Sequence, residues 1–280
     1  MFLKTKKPTF NQWAQFFKTF SFKEKLLFLF FLFVFAFSFF FLMQNVWNKN
    51  TMLVPAYGGC LKEGVLGQPK HINPIYSSAS DLDKDIVQLV FSGLMKYGKE
   101  GGIENDLIES YFFEDEGRTF NFKLKENVLW HDKKPFQMDD VLFTFNIIQD
   151  PEYLSPLRAS FIGMSLEKVS DFEGVFRLPE AYQGFLESLT NFKVIPKHIL
   201  KDVPSQNFGT DAKINIYNPV GTGAYRVYKV KENGSILSIQ LRANKDYFGQ
   251  KPFIKDIVFK FYSTEKELEN ALLKKKIDSV

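Results

Sequence analysis

Cysteine and histidine are scarce in this chain of 280 residues, which contains one cysteine and three histidines. A single cysteine cannot form a disulfide within the chain, so a hydrophobic core alone must hold the fold together. The histidines lie about 60 residues apart, and none has a second histidine or a cysteine at metal-ligand spacing. We predict no metal site, no cofactor and no thiol nucleophile; the residues concerned are Cys60, His71, His131 and His198.

Motifs of catalysis are also lacking. The stretch GTGAY, at residues 221–225, has neither the further glycines nor the Lys-Ser/Thr pair of a phosphate-binding loop, and a strand is predicted after it. Asp139 and Asp140 are adjacent at a predicted helix start, where acidic residues complement the helix dipole. Neighbouring helix positions point about 100° apart, so the two carboxylates are poorly placed to share one reacting atom. We predict that the protein is not an enzyme and has no catalytic residues.

Basic charge is concentrated near the N-terminus and is lacking elsewhere. The formal net charge of the whole chain is +4. Residues 1–43 contain six lysines and a single acid, Glu24, whereas residues 44–280 contain 30 basic and 31 acidic residues. Because no basic stripe remains there to follow a phosphate backbone, we predict no nucleic-acid partner.

One long hydrophobic run accounts for the position of the lysines. Residues 26–43, LLFLFFLFVFAFSFFFLM, are apolar except for Ser38, and at about 1.5 Å per residue a helix of this length just crosses a bilayer core. The positive-inside rule keeps the lysine-rich side in the cytoplasm. We predict a single-pass protein of the cytoplasmic membrane, with a basic cytoplasmic N-terminus (1–25), a transmembrane anchor (26–43), a linker (44–56) and an extracytoplasmic domain (57–280).

Two other kinds of leader compete with the anchor. A cleaved signal peptide usually has an apolar region of about 7–15 residues and a small-residue cleavage site, which this sequence lacks. A lipid anchor needs a cysteine directly after the apolar run, whereas Cys60 lies 17 residues past Met43. The length of the run favours an uncleaved anchor.

The residues after the linker alternate between helical and strand patterns. Acids followed by apolar residues three and four positions apart predict a helix from Asp81 through Leu94 and another over 138–148. The stretch RTFNFKLK alternates and predicts a strand whose buried face is made by Phe120, Phe122 and Leu124.

Turn signals divide the second half of the chain into hairpins. Turns are predicted at Glu173-Gly174, within SLEKVSDFEGVFRL, and at Asn233-Gly234, within AYRVYKVKENGSILSIQLR. A last strand, IKDIVFKFY, leads into a helix capped by Ser263 or Thr264. Helices mixed with hairpins, without internal repeats, predict an α/β fold.

Six segments follow one another in an order that is typical of a known family. They are GQPKHINP, DIVQLVFSGLMKYG, NDLIESYFFEDEGRTFNFKLKENVLWHDKKPFQMDDVLFTFNIIQDPEYLSP, VIPKHIL, NPVGTGAYRV and NKDYFGQKPFIKDIVFKFY. Together, over residues 57–280, they resemble the family 5 extracellular solute-binding proteins, which capture oligopeptides or dipeptides for ABC transporters. The resemblance implies a clamshell like that of type II periplasmic binding proteins, with mixed sheets and lobes that close on the ligand.

The resemblance also implies a ligand site. In the family, the segment matching GQPKHINP begins the domain beside the cleft, and the segment matching VGTGAY crosses near the hinge and presents backbone to the ligand. The ligand contacts predicted in this way are Gln68, Pro69, Phe143, Thr222 and Gly223. The alternative is that Gly221 and Gly223 serve only the geometry of a turn.

The stretch LWHDKKPFQMDD, at residues 129–140, is predicted to end a strand, turn and begin a helix. Trp130 is expected to be packed, and His131-Asp132 is expected to form a local hydrogen-bonded turn without a ligand-facing role. Lys133 stands where family members usually carry glycine and Gln137 where they carry threonine, so the turn and the helix cap must be built differently.

Two further features depart from the family pattern. Ala224 replaces the common proline of GTGPY. The chain also stops before most of the second lobe that the resemblance implies. We therefore expect a C-terminally truncated clamshell, with the second lobe largely missing, that cannot close on a ligand and leaves an apolar face exposed.

These observations predict a membrane-anchored extracytoplasmic protein that captures peptides for an ABC importer. Its partners would be the peptide, the permease subunits and, through the N-terminal helix, the membrane. A tethered structural or sensory module that keeps the fold without transport is the alternative. The resemblance leaves the ligand open among peptides, nickel complexes, haem and sugars.

Overall fold

Two units make up the chain, Met1–Pro55 and Ala56–Val280, and the structure, a computed structural model, describes residues 19–52 and 54–280. Residues 1–18 of the predicted cytoplasmic segment therefore lie outside the described residues.

The first unit contains helix α1, Phe22–Asn50, which is longer than the predicted anchor. A capping box begins it: Ser21 N donates to Glu24 Oε2 at 2.7 Å, and Glu24 N donates to Ser21 Oγ at 3.4 Å. Residues 44–50, predicted as linker, stay helical because they contain no glycine or proline that would break the hydrogen-bond ladder. Among the described residues this is the one helix long and apolar enough to cross a membrane, a property that anchors and signal sequences share.

The second unit combines strands and helices, as the α/β prediction requires. Its strands are β1 (Gly58–Leu66), β2 (Met95–Tyr97), β3 (Ile103–Asn105), β4 (Ile108–Glu114), β5 (Thr119–Leu124), β6 (Ser165–Lys168), β7 (Glu173–Arg177), β8 (Tyr225–Glu232), β9 (Ile236–Ala243) and β10 (Ile254–Tyr262). Its helices are α2 (Asp81–Val90), α3 (Met138–Gln149), α4 (Phe185–Asn191), α5 (Lys197–Leu200), α6 (Ser205–Phe208) and α7 (Glu265–Leu273).

One four-stranded sheet is mixed, with the order β1-β10-β9-β8. Strand β1 runs parallel to β10, whereas β10, β9 and β8 are antiparallel neighbours. The hairpin turn predicted at Asn233-Gly234 is confirmed, because Gly234 has a φ of 72° between the paired residues Glu232 and Ile236. Cys60 lies on β1 with its side chain exposed.

The second four-stranded sheet is antiparallel, with the order β4-β5-β7-β6, and β2 and β3 form a separate pair. The buried face predicted for β5 is confirmed. The turn predicted at Glu173-Gly174 is wrong: both residues lie in β7, and residues 169–172 form the turn, which the Val169 N–H closes by donating to the Glu173 carbonyl at 2.9 Å. Gly174 is needed for packing, since a Cβ there would lie 2.9 Å from Met138 Sδ.

Aromatic side chains form much of the core between this sheet and the helices. Phe120 lies 5.7 Å from Phe122 and 5.2 Å from Phe185, measured between ring centroids, and all three are buried. Trp130 is also buried and packs edge-on against Phe136, which confirms the packed position predicted for it.

Local sequence signals place the starts of the helices. Ser80 Oγ accepts from Asp83 N at 3.3 Å at the start of α2. At the start of α7, Thr264 Oγ1 accepts from Glu267 N at 3.3 Å, so of the two predicted caps, Ser263 and Thr264, the second is confirmed. Helix α2 ends at Val90, four residues before the predicted end. The reason is that the next segment pairs with another part of the chain: Leu94 N donates to the Phe192 carbonyl at 3.3 Å.

The last residues of the chain return to β1. Gly64 N donates to the Ser279 carbonyl at 2.9 Å, and Lys62 N donates to Asp278 Oδ2 at 2.8 Å. Gly64 lies against α7, since a Cβ there would lie 2.6 Å from the end of the Leu268 side chain. Strand β1 is therefore held on one side by β10 and on the other by residues 278–279.

Candidate functional site

A polar cavity of about 210 Å³ lies in the second unit where several segments meet. They include the turn Ser77–Ala79, helix α2, the residues around β2 and the end of α4 with the residues that follow it. Side chains with hydroxyl, amide, ammonium or carboxylate groups make up most of the lining: Ser77, Ser78, Lys84, Gln88, Ser92, Lys96, Tyr97, Asp106, Thr190, Asn191, Lys193 and Tyr247.

Helix α2 supplies one wall through a stripe of residues three and four positions apart, Lys84, Val87, Gln88 and Phe91. Its first turn is fixed by Asp83, whose carboxylate accepts from Lys70 N at 3.0 Å and from His71 N at 3.1 Å. Burial raises the pKa of Asp83, while these two hydrogen bonds oppose the rise. The segment that begins with Gln68 is thereby tied to the helix that lines the cavity.

The loop Gly221-Thr222-Gly223 approaches the end of α2 very closely. Gly223 N donates to the Val90 carbonyl at 2.9 Å, and a Cβ at Gly223 would lie 2.5 Å from the Leu89 carbonyl oxygen. A Cβ at Gly221 would meet the Val90 carbonyl as well. Both glycines are therefore required for backbone contact with α2, and Gly223 also lines the cavity.

His131 holds this loop in place from the far side. Its backbone N–H donates to the Gly221 carbonyl at 2.9 Å, its Nδ1 accepts from Gly221 N at 3.2 Å, and its Nε2 lies 3.1 Å from the Gly223 carbonyl. The pattern assigns the proton to Nε2, because Nδ1 is an acceptor. Burial lowers the pKa of His131 to about 4, so the ring is neutral at pH 7.

The expectation that His131-Asp132 forms only a local turn is therefore wrong for the histidine, which bonds residues 90 positions away. Asp132 does bond locally, accepting from Lys134 N at 3.3 Å, and its other oxygen lies 2.8 Å from His198 Nε2. Lys133 has a φ of 74°, the backbone conformation that favours the glycine usual in the family, and its ammonium pairs with Asp246.

Asp106 and three lysines, Lys84, Lys96 and Lys193, form the charged part of the cavity. The Asp106 side chain is buried, with Oδ2 accepting from Gly93 N at 3.1 Å and Oδ1 lying 3.7 Å from the Lys96 ammonium. Burial raises the pKa of Asp106, against the attraction of Lys193, Lys96 and Lys125. Burial also lowers the pKa of the Lys193 ammonium.

Sequence reasoning did not find these charged residues. Gly93, Asp106 and Lys193 come from three separate segments, which meet because Gly93 and Lys193 pair as an isolated β-bridge. No spacing in the sequence signals a bridge of this kind. Among the described residues, no group of three histidine, cysteine, aspartate or glutamate side chains is arranged to hold a metal ion.

The structure places one of the five predicted ligand residues, Gly223, in the lining of the cavity. Its neighbour Thr222 is fully buried, and the Thr222 hydroxyl has no hydrogen-bond partner among the described residues. Gln68, Pro69 and Phe143 are not among the lining residues. Gln68 is exposed and accepts from Ile236 N at 3.0 Å, Pro69 is buried, and Phe143 packs half-buried against the core.

Comparison with known proteins gives a consistent set of relatives. Residues 102–280 match the family model described as bacterial extracellular solute-binding proteins, family 5 middle. The chain is 30% identical over 208 residues to the oligopeptide-binding protein AppA of Bacillus subtilis, covering 74% of this chain and 37% of AppA. It is 28% identical over 215 residues to the dipeptide-binding protein of Escherichia coli, covering 69% of this chain and 39% of that protein.

Solved structures give the same result for the fold. The structure of Bacillus subtilis AppA in complex with a nonapeptide matches with a TM-score of 0.73 and 30% identity, over 80% of this chain and 44% of AppA. That of NikZ from Campylobacter jejuni in complex with Ni(L-His) matches with a TM-score of 0.69 and 27% identity, over 79% and 43%. The fold is the α/β fold of type II periplasmic binding proteins, with mixed sheets, and the chain spans less than half the length of these relatives.

Proposed function

The chain belongs to family 5 of the bacterial extracellular solute-binding proteins, and we propose that it captures peptides outside the cytoplasmic membrane for an ABC importer. The observation that carries the proposal is the polar cavity against α2, where Gly223 and several hydrogen-bonding side chains line the same space. Adaptable polar groups suit a ligand whose side chains vary.

The five predicted ligand residues form part of the proposal. Gly223 would contact the ligand as part of the cavity wall, because its N–H and carbonyl are already hydrogen-bonded to Val90 and Asn244. Thr222, buried beside it, would act through its unpartnered hydroxyl by way of a bridging water. Gln68 and Pro69 would act at the start of the segment that Asp83 ties to α2. Phe143, half-buried on α3, would contribute through packing.

Calorimetric titration of the full-length protein, purified in detergent, with a series of alanine-based peptides of two to nine residues tests the proposal. We expect saturable binding of at least one length, weakened by Gly223→Ala because the added Cβ forces the loop away from α2. The exposed Gly102, where a Cβ meets no atom within 4 Å, provides the matched control Gly102→Ala. Absence of binding by every peptide would overturn the proposal.

We further propose that α1 anchors the protein with its N-terminus inside and the second unit outside, beside the permease subunits of the importer. Cys60 is the only cysteine and is exposed, so a membrane-impermeant maleimide can report its location in intact protoplasts. Labelling of the wild-type protein is expected. The double variant Cys60→Ser, Ser21→Cys should be labelled only after permeabilisation, and labelling of position 21 in intact protoplasts would contradict this topology.

The mass of the same maleimide-labelled protein distinguishes an uncleaved anchor from a cleaved leader. An uncleaved anchor retains residues 1–43 in the labelled protein, whereas cleavage after the apolar run removes them. Intact mass of the maleimide-labelled protein is the measurement, and we expect the mass of the uncleaved chain.

A further inference from the structure

We propose that the cavity beside α2 binds a carboxylate of the ligand and that Lys193 selects for it. This inference rests on the proposed function, because it names the chemistry of the peptide that the cavity takes. Three lysines, Lys84, Lys96 and Lys193, line the cavity, against a single carboxylate, Asp106. The lining side chains therefore carry an excess of two positive charges when the lysines are protonated.

Asp106 is placed to hold the lysines rather than a cationic group of the ligand. One of its carboxylate oxygens accepts from Gly93 N, and the other faces the Lys96 ammonium at 3.7 Å. Its backbone carbonyl accepts from the Lys125 ammonium. A ligand ammonium that approached Asp106 would be repelled by these lysines.

Lys193 has the unmet bonding capacity that a ligand carboxylate would fill. The side chain is half-buried, and within the described part of the chain its ammonium has no hydrogen bond and no ion pair within 4.0 Å. Room for it is provided by Gly93, where a Cβ would lie 3.1 Å from the Lys193 Nζ atom. An ammonium group carries three donors, and a partly buried one gains most from an ionised acceptor.

The remaining lining groups suit the same ligand. The Ser78 hydroxyl is buried without a partner among the described residues, so it can donate a further hydrogen bond to a carboxylate oxygen. Lys84 lies on the α2 wall and pairs with Asp81 at 3.1 Å, which leaves it two further donors. At about 210 Å³ the cavity is smaller than the ~300 Å³ or more that encloses a whole drug-sized ligand, so it takes one residue of a peptide.

Four tetrapeptides test the inference and separate the two sources of a carboxylate. They are Ala-Glu-Ala-Ala and Ala-Gln-Ala-Ala, each with a free or an amidated C-terminus, titrated by calorimetry into the full-length protein. We expect removal of one of the two carboxylates, on the glutamate side chain or at the C-terminus, to weaken binding about tenfold. Lys193→Met should abolish that tenfold difference, whereas Lys193→Arg should retain most of it.

The controls keep the result specific to the cavity. Lys201→Met removes an exposed lysine that does not line the cavity and should leave the tenfold difference unchanged. If Lys193→Met lowers the melting temperature so far that binding cannot be measured, Lys84→Met serves instead and should reduce the difference by about threefold; an unchanged difference there would overturn the inference.

Two outcomes separate the failure of this inference from that of the proposed function. Equal binding of all four peptides, or a carboxylate preference that survives Lys193→Met, would overturn the role of Lys193 and leave peptide capture standing. Absence of binding by all four peptides, together with the whole alanine series, would overturn both.

Discussion

Two buried carboxylates in the second unit, Asp140 and Asp106, have contrasting surroundings. Asp140 is 6% exposed and accepts three hydrogen bonds, from Trp130 Nε1 at 3.2 Å, Gln137 N at 3.1 Å and Lys197 N at 3.0 Å. Asp106 is 4% exposed and accepts one on its carboxylate, from Gly93 N. Asp140 is enclosed by the protein, whereas Asp106 lines a cavity.

The difference separates a structural carboxylate from one that lines the proposed binding site. Burial raises the pKa of both groups, so the direction of the pKa shift does not distinguish them. The number of hydrogen bonds does distinguish them, because a buried carboxylate that accepts several hydrogen bonds from the protein fixes the local geometry. Asp140 joins the side chain of Trp130, the start of α3 and the start of α5, while Asp106 accepts one hydrogen bond on its carboxylate, from Gly93 N, and faces the Lys96 ammonium across 3.7 Å.

Among the substitutions that test this comparison, Asp140→Ala is expected to have the largest effect on the free energy of unfolding. It leaves an indole N–H and two backbone N–H groups without their acceptor in the interior, so the free energy of unfolding should fall by about 3 kcal/mol or more. Chemical denaturation of the full-length protein measures this loss. The adjacent Asp139, which pairs with Lys168 and Lys197 near the surface, is the control, and Asp139→Ala should cost less than about 1 kcal/mol. Equal losses would remove the distinction between an enclosed and an exposed carboxylate.

The second expected effect concerns His131, which connects the two regions. Its neighbour Trp130 bonds Asp140, and its own ring holds the loop that carries Gly223 to the cavity. The folded-state pKa of about 4 is below the ordinary 6.5, so the unfolded chain binds a proton first as the pH falls. The neutral His131 ring contributes fully to the free energy of unfolding above about pH 6.5, and this contribution is lost toward pH 4. Between pH 7.5 and pH 5 the loss amounts to about 2 kcal/mol.

His131→Gln keeps polar atoms at this position and does not titrate. Denaturation at pH 7.5 and pH 5 should therefore show a smaller loss of stability for this variant than for the wild-type protein. Peptide affinity at pH 7.5 should also fall, by about tenfold, because the Gly221–Gly223 loop loses the ring that positions it. An identical pH dependence in the two proteins would mean that protonation of His131 is not what destabilises the fold.

Local features of the fold could be predicted from the sequence, and contacts between distant segments could not. The buried face of β5 and the cap at Thr264 depend on neighbouring residues, which is why pattern and propensity were sufficient. The turn prediction at Gly174 was wrong because this residue lies in β7 and packs against the side chain of Met138, 36 positions away. Its neighbours in the sequence give no signal of that contact.

The same limit applies to the candidate site. The GTG loop could be found because a family motif marks it, and Gly223 does line the cavity. Lys96 and Asp106 lie within segments that the family resemblance covers, but nothing in those segments marks them as site residues, and Lys193 reaches them only through the Gly93–Lys193 bridge. His131 was found in the sequence but given a local role, since nothing in its own stretch indicates a partner 90 residues later.

Gly93→Ala tests whether the bridge sets the position of Lys193. The new Cβ would lie 2.8 Å from the Met95 carbonyl oxygen and 3.1 Å from Lys193 Nζ, so backbone and side chain must both move. We expect a cost of about 1 to 2 kcal/mol in the free energy of unfolding and a weaker preference for carboxylate-bearing peptides. Gly102→Ala, which meets open space, should change neither quantity. A full carboxylate preference in Gly93→Ala would show that the site does not depend on this glycine.

Asp106→Asn has the smallest expected effect on stability and the most direct bearing on the comparison. The amide oxygen can still accept from Gly93 N, and the substitution removes a charge whose burial is costly, so stability should change by less than about 1 kcal/mol. Removal of the carboxylate leaves the lysines uncompensated, which should strengthen binding of Ala-Glu-Ala-Ala by about threefold relative to Ala-Gln-Ala-Ala. Calorimetry of the two peptides measures this ratio. A weaker preference for the acidic peptide would indicate that Asp106 itself contacts the ligand. Asp106 would then differ from Asp140 because its own carboxylate binds the ligand, and not because of the lysines around it.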